Sequence, residues 1–288
     1  MKVFYISNIY KDIKIANRFL KHFIKVFPKK TSELLLYCHD LGTYKEVLNY
    51  DSKNINIIRG SENVYFTEAV NICIGMILKN NAQGNICMIN SDCFGSKELH
   101  DICLKNKNRG LIFRNRDFKT NYLLPAGFIF NNKIIGDTKN IEDKISKSKK
   151  KYFKIDYSNG RGLTFPVVFA RKHGLLNHKD FPQYGSDTDY SWKISNTIGL
   201  YYCVGAEILS DKFETGFNPM VIKMSLNKRI KALFSIKSNI NILVRCKLYR
   251  NFCTNNLYKP IWIMRGIISC LLIACLPYKL KNRLSKFK

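Results

Sequence analysis

Three short stretches of this sequence carry residue types that do chemistry. The first is Met88-Ile89-Asn90-Ser91-Asp92, an apolar run that closes on Asn-x-Asp. At the carboxyl end of a buried strand, Asp92 would project into the crevice where open α/β sheets bind ligands. A divalent cation bridging a diphosphate requires an oxygen ligand in that place. Asn, Ser and Asp also make ordinary turns. The second stretch runs Tyr184-Gly185-Ser186-Asp187-Thr188-Asp189-Tyr190-Ser191-Trp192-Lys193. Its two carboxylates suit the first turn of a helix, as cap and dipole complement. The other reading makes Asp187 a general base, because a hydroxyl is a poor nucleophile until a positioned carboxylate takes its proton. The third is Asn159-Gly160-Arg161-Gly162-Leu163-Thr164-Phe165-Pro166. Its glycines allow tight backbone turns around Arg161. That arginine either clamps a phosphate or an acceptor group, or is a surface residue of a loop.

The elements that must hold these residues alternate in type. Residues 3–6, 33–38, 55–58 and 85–89 read as strands. Between them, 13–27, 44–49 and 67–79 carry helical spacing, the first ended by Pro28. Strand-helix alternation argues for a mostly parallel, twisted sheet with helices on both faces. Further on, 111–113, 127–130, 201–204 and 208–209 read as strands, and 164–170 as a strand running into a helix. Residues 187–197 read as a helix, and the lysine-rich stretch 141–151 as an exposed helix or loop.

Composition bounds the class. A chain of 288 residues with 46% hydrophobic and 24% charged residues can bury a sizeable core. Its net charge of +27 speaks of partners and not of fold. The ten cysteines include no Cys-x-x-Cys, and Cys38, Cys73, Cys87 and Cys203 sit in apolar runs. They read as small buried hydrophobes in a reducing compartment. The N-terminus reads as a strand interrupted by Ser7-Asn8, not as a secretory leader.

Taken in order, the three stretches resemble the family-2 glycosyltransferases of bacterial surface-polysaccharide synthesis, including the rhamnosyltransferase-like branch. The first block is Asn63, Ala69-Val70-Asn71 and Cys87-Met88-Ile89-Asn90-Ser91-Asp92. The second is Gly160-Arg161-Gly162, Gly174-Leu175-Leu176, then Phe181-Pro182 through Lys193, and Gly199. The resemblance covers roughly the first three quarters of the chain. It implies a GT-A fold and an inverting single displacement of a nucleotide diphosphate by a glycan hydroxyl. It also implies a divalent cation, Mn2+ or Mg2+, at Asp92, with Asp187 as base and Asp189 as supporting acid. Asn8, Asp40, Asn71, Asn90 and Arg161 would face the nucleotide-sugar donor. There are departures. Cys38-His39-Asp40-Leu41-Gly42 stands where the family has Asp-Asn-Gly-Ser or a relative. The histidine many members carry after the strand near position 209 is missing, and Asp211 is the candidate expected in its place.

Glu214 is the last acidic residue, which sets a boundary at 218/219 between a catalytic region, 1–218, and a basic, apolar helical tail, 219–288. Within the tail, 261–276 is a mostly apolar run with Arg265 inside it, shorter than the roughly twenty residues a spanning helix needs. Lys259, Lys279, Lys281, Arg283, Lys286 and Lys288 flank it. Apolar residues beside basic ones suit a helix lying on an anionic membrane surface. The expectation is a peripheral protein on the cytoplasmic face of the cell membrane, acting on a lipid-linked oligosaccharide. The competing class is a non-catalytic basic protein that binds membranes or polyanions. No stacking-aromatic or helix-turn-helix pattern points to nucleic acid. A nucleotidylyltransferase would need a glycine-rich loop after the first strand, where Ser7-Asn8-Ile9-Tyr10-Lys11 stands.

Overall fold

The computed structural model describes residues 1–145, 150–210 and 224–276. It begins with β1 (Lys2–Ile9), α1 (Ile13–Val26), β2 (Ser32–Cys38), α2 (Leu41–Val47), β3 (Ile55–Arg59), α3 (Phe66–Lys79), β4 (Gly84–Met88), β5 (Cys93–Gly95) and α4 (Lys97–Lys105). Then come β6 (Gly110–Asp117), β7 (Leu123–Leu124), β8 (Gly127–Asn132), β9 (Asp137–Asn140), α5 (Glu142–Ile145), β10 (Tyr152–Ile155), β11 (Tyr157–Ser158) and β12 (Leu163–Pro166). The remainder is α6 (Val167–His173), α7 (Ser186–Thr197), β13 (Leu200–Ser210), α8 (Leu226–Ala232), α9 (Ile242–Phe252) and α10 (Lys259–Cys275).

The main sheet has the order β10-β13-β6-β12-β4-β1-β2-β3. Neighbours β3, β2, β1 and β4 are parallel. β12 enters antiparallel to both β4 and β6, and β13 runs parallel to β6. Six strands therefore point the same way, with β12 inserted against them. The carboxyl ends of β1, β2, β4, β6 and β13 and the start of β12 share one edge of the sheet.

The buried strands explain this architecture. In β1, Phe4 and Ile6 pack into one apolar layer while Val3, Tyr5 and Ile9 pack into the other. β4 divides likewise, Ile86 and Met88 against Cys87. A strand that alternates with period two yet is apolar on both faces must be covered on both. α1 covers one face with Ala16, Phe19, Leu20 and Phe23, begun by the Asp12 side chain accepting the Ile15 amide. Each large apolar side chain buried there contributes about 1.5–3 kcal/mol. α3 covers the opposite face with Ala69, Val70, Cys73, Ile74 and Ile77.

Two differences from the sequence reading have physical causes. The separate strands at 201–204 and 208–209 are one strand, β13, with its register shifted between Cys203 and Glu207. The lysine-rich stretch is anchored at its start: Ile141 and Ile145 are buried, and Glu142 pairs with Arg114. The 218/219 boundary lies outside the described residues; beyond it, α9 packs on α7, and α10 packs on α9. Val244, Leu248 and Phe252 of α9 share an apolar cluster with Phe181 and Trp262.

Candidate active site

Asp92 follows β4 and is buried. Its Oδ2 stands 3.6 Å from Nη2 of Arg161, which enters from the turn before β12. The Nη1 of the same guanidinium donates to Ser210 Oγ at the end of β13 (3.1 Å). Ser210 in turn donates to Asn115 of β6 (2.7 Å). The ends of three strands are thereby tied to one arginine, which fixes the direction of its guanidinium. Arg161 was legible as a charged residue between glycines. Ser210 and Asn115 carry no such signal: Asn115 lies among the charged Arg114, Arg116 and Asp117, and nothing in that run marks which side chain faces the site.

Gly160 is the residue before Arg161, and it abuts the second acid. A Cβ added there would lie 2.8 Å from the Cβ of Asp187. Only a glycine admits this approach. Asp187 sits in the first turn of α7, after Gly185 turns the chain with φ +92°. Its Oδ1 accepts the Thr188 amide at 2.8 Å. Burial pushes its carboxyl above the ordinary range, against the pull of Thr188 and Arg161. Tyr184 lies in the same electrostatic neighbourhood: burial raises its phenol, Asp187 adds to that, and Arg161 opposes it. Two consecutive residues, Gly160 and Arg161, thus meet Asp187 and Asp92.

Asp189, one residue past Thr188, faces another way. Its Oδ1 accepts from Asn251 of α9 at 2.8 Å. Burial raises its carboxyl, and the Asn251 bond opposes the rise. Asn251 is therefore a residue of the basic C-terminal region that touches the acidic motif, a contact no local pattern announces.

The remaining residues divide by what their side chains already do. Asn8, at the end of β1, donates its amide to His39 Nε2 (3.1 Å). His39 is buried, and burial lowers its pKa, which keeps the ring neutral and able to accept. Asn90 is partly exposed just past β4, and its carbonyl closes the turn to the Cys93 amide (3.0 Å). Asp40 caps α2, accepting the amides of Thr43 and Lys11 at 2.8 Å each. Burial works to raise its carboxyl, but those bonds hold it below the usual range. Asp40 thus serves the backbone at the end of β2. Asn71 departs from the expected donor contact. Its amide donates to the Leu176 carbonyl (2.9 Å), and its oxygen accepts the Leu176 amide (3.0 Å). Thr67, one turn earlier, donates to the Phe181 carbonyl at 2.5 Å. Asn71 and Thr67 therefore lash the loop that leads to Asp187 onto α3.

No family model and no curated protein sequence matches this chain. Solved structures do. GalNAc-T7 with UDP, GalNAc and Mn2+ superposes with a TM-score of 0.56 and 12% identity, covering 94% of this chain and 57% of that one. The mannosyltransferase PcManGT from Pyrobaculum calidifontis, in complex with GDP-Man and Mn2+, gives 0.54 and 11%, covering 99% and 79%. This chain has the GT-A glycosyltransferase fold. S. aureus TarS gives 0.51 and 11%, covering 93% of this chain and 49% of that one. The chain thus spans little more than half the length of GalNAc-T7 and about half that of TarS.

Within this GT-A fold, Asp92 is the residue to test against a cation. Among the described residues, no three His, Cys, Asp or Glu side chains gather into a ready-made metal cage. Asp211, expected as a further ligand, lies outside the described residues. A small divalent cation in phosphate chemistry is usually held by one or two carboxylates, substrate phosphates and water. Asp92 fits that kind of site. Its 3.6 Å separation from Arg161 is longer than a hydrogen bond, so the pair is charged contact and not a closed fork.

Proposed function

We propose that the chain is an inverting, metal-dependent glycosyltransferase that moves a hexosyl or deoxyhexosyl unit from a nucleotide-diphosphate donor to a glycan hydroxyl. One observation carries this reading: the Gly160-Arg161 turn meets both Asp92 and Asp187 at the carboxyl edge of the sheet. The two acids are distant in sequence and have separate chemical parts to play. The Mn2+ with UDP and GalNAc in the GalNAc-T7 structure, and with GDP-Man in the PcManGT structure, supports the same reading.

In this mechanism the donor's diphosphate lies against Arg161, whose charge faces the leaving group. Asp187 takes the proton of the acceptor hydroxyl. That oxygen forms a bond to the anomeric carbon as the bond to the diphosphate oxygen breaks, and the electron pair leaves with the diphosphate. A carboxyl raised by burial is a better proton acceptor than an ordinary aspartate. Asp92 would hold the divalent cation, which supplies charge against the departing diphosphate. Asn8 and Asn90 stand at the same edge, available to the donor's nucleoside. Asp189, held by Asn251, supports the acidic motif.

The basic region gives the reaction an address. A lipid-linked oligosaccharide acceptor, presented at the cytoplasmic face of a membrane during cell-surface polysaccharide synthesis, fits an enzyme with this charge. No helix among the described residues is long and apolar enough to cross a membrane. The test is a thermal-shift screen of nucleoside diphosphates with and without Mn2+ or Mg2+. Stabilisation by one nucleotide, enhanced by the cation, is expected. No response to any nucleotide under either condition would overturn the proposal.

A further inference from the structure

α10 is apolar on two opposite faces. Trp262, Gly266, Cys270 and Ala274 are buried at a spacing of four. Ile261, Met264, Ile268 and Leu272 lie on the other side, and all are exposed, Met264 by 59%. A helix that is hydrophobic all round belongs inside a protein or against an apolar phase. Among the described residues, α9, α8 and the β8–β9 hairpin cover one side.

The hairpin extends the uncovered face. Trp262 Nε1 donates to the carbonyls of Lys133 and Ile134 (3.0 and 3.1 Å). Arg265 pairs with Asp137 and donates to the Ile135 carbonyl (3.1 Å). Gly136, at φ +65°, lets the turn lie flat on the indole, since a Cβ there would stand 2.6 Å from the ring. The hairpin tip is thereby pinned with Ile134 and Ile135 exposed. Ile135 joins Pro260, Ile261, Met264 and Ile268 around one shallow apolar groove of about 560 Å³.

The chemistry around the groove selects its occupant. Lys133 at the hairpin tip and Lys259 at the start of α10 are basic, and the sequence holds no acidic residue after Glu214. Apolar side chains next to lysines and arginines complement acyl chains beneath anionic headgroups. A face that met another protein only through apolar contact would have no use for that charge bias. We infer that the exposed face of α10 and the tip of the β8–β9 hairpin form one platform that rests on an anionic lipid bilayer. The helix lies in the plane of the surface and does not cross it. This deepens the membrane address proposed above and is independent of sugar transfer.

The experiment is flotation of the full chain with vesicles of phosphatidylcholine alone or mixed with phosphatidylglycerol, repeated for Ile135→Asp and Met264→Asp. Both side chains are exposed, so the melting temperature of each variant should match the parent. The parent should float with the anionic vesicles and be released only in part by high salt. Each variant should lose about tenfold or more in partitioning, as expected when one buried aliphatic side chain is replaced by a charge. Unchanged flotation of Ile135→Asp, with Met264→Asp impaired, would remove the hairpin and overturn the platform. Unchanged flotation of both would overturn it as well. So would a dimer in sedimentation that Met264→Asp splits without altering flotation, because a second copy would then cover the face. Nucleotide binding is measured on the same samples. Its absence beside intact, variant-sensitive flotation would sink the transfer reading and support the platform.

Discussion

A Cβ built on Gly160 would stand 2.7 Å from Oδ2 of Asp187, so the main chain of residue 160 is the wall on which that carboxylate rests. Gly160→Ala must push Asp187 aside. A general base is typically worth about 10²–10⁴-fold, and Asp187→Asn should cost that range in turnover. Gly160→Ala should fall toward the same level while donor binding persists. Turnover measured at saturating donor decides the matter. Near-parental turnover in both variants would mean that Asp187 is not the base.

Asp92 is expected to carry the cation response. In Asp92→Asn, nucleotide diphosphate binding should no longer tighten when Mn2+ or Mg2+ is added. The neutral side chain also removes the charge facing Arg161, so some stability will be lost with it. Comparing nucleotide affinity with and without the cation, at a temperature where the variant is fully folded, separates the two effects. A cation response equal to the parent's would place the metal elsewhere.

Much of this arrangement could be read from residue order, and some of it could not. β1, β2 and β4 were legible because strands buried on both faces leave continuous apolar runs. Asp92 stood out as an acid closing such a run. The Asn71 position was legible too, but its use was not: an asparagine on a helix gives no sign whether it faces a ligand or a loop. Here it grips Leu176. The association of α9 with α7 was hidden for a different reason. Val244, Leu248 and Phe252 are interleaved with Arg245, Lys247 and Arg250, and the charges dominate the local composition while the apolar residues set the packing. The merging of two short strands into β13 depended on partners on both sides, which no window of sequence contains.

Asn251 links the C-terminal helices to the acidic motif, and its loss should be felt at Asp189. The bond favours the charged carboxylate, so Asn251→Ala should raise the Asp189 pKa further. At neutral pH the variant should lose about 1 kcal/mol of stability, the ordinary value of one hydrogen bond. That bond's contribution is present where Asp189 is ionised and is lost as pH falls through its pKa. Denaturation midpoints of parent and variant should therefore converge on acidification. A gap that stays constant with pH would show that Asn251 acts through packing alone.

The pH dependence of transfer identifies the base most directly. Burial raises the Asp187 carboxyl above its reference value of 3.8, while the Thr188 bonds and the Arg161 charge pull the other way. A general base works in its deprotonated form, so the rate should fall as pH drops through that raised pKa. The acid limb of turnover against pH should thus lie above the position of an ordinary aspartate. Removing a positive charge that favours the carboxylate raises its pKa. Arg161→Gln should therefore move the limb to higher pH, and Arg161→Lys should move it less. Asp189 is also raised by burial, so it needs its own control. In Asp189→Asn the limb should persist, because the titrating group remains. A limb that vanishes in Asp189→Asn but survives in Asp187→Asn would exchange the roles of the two acids.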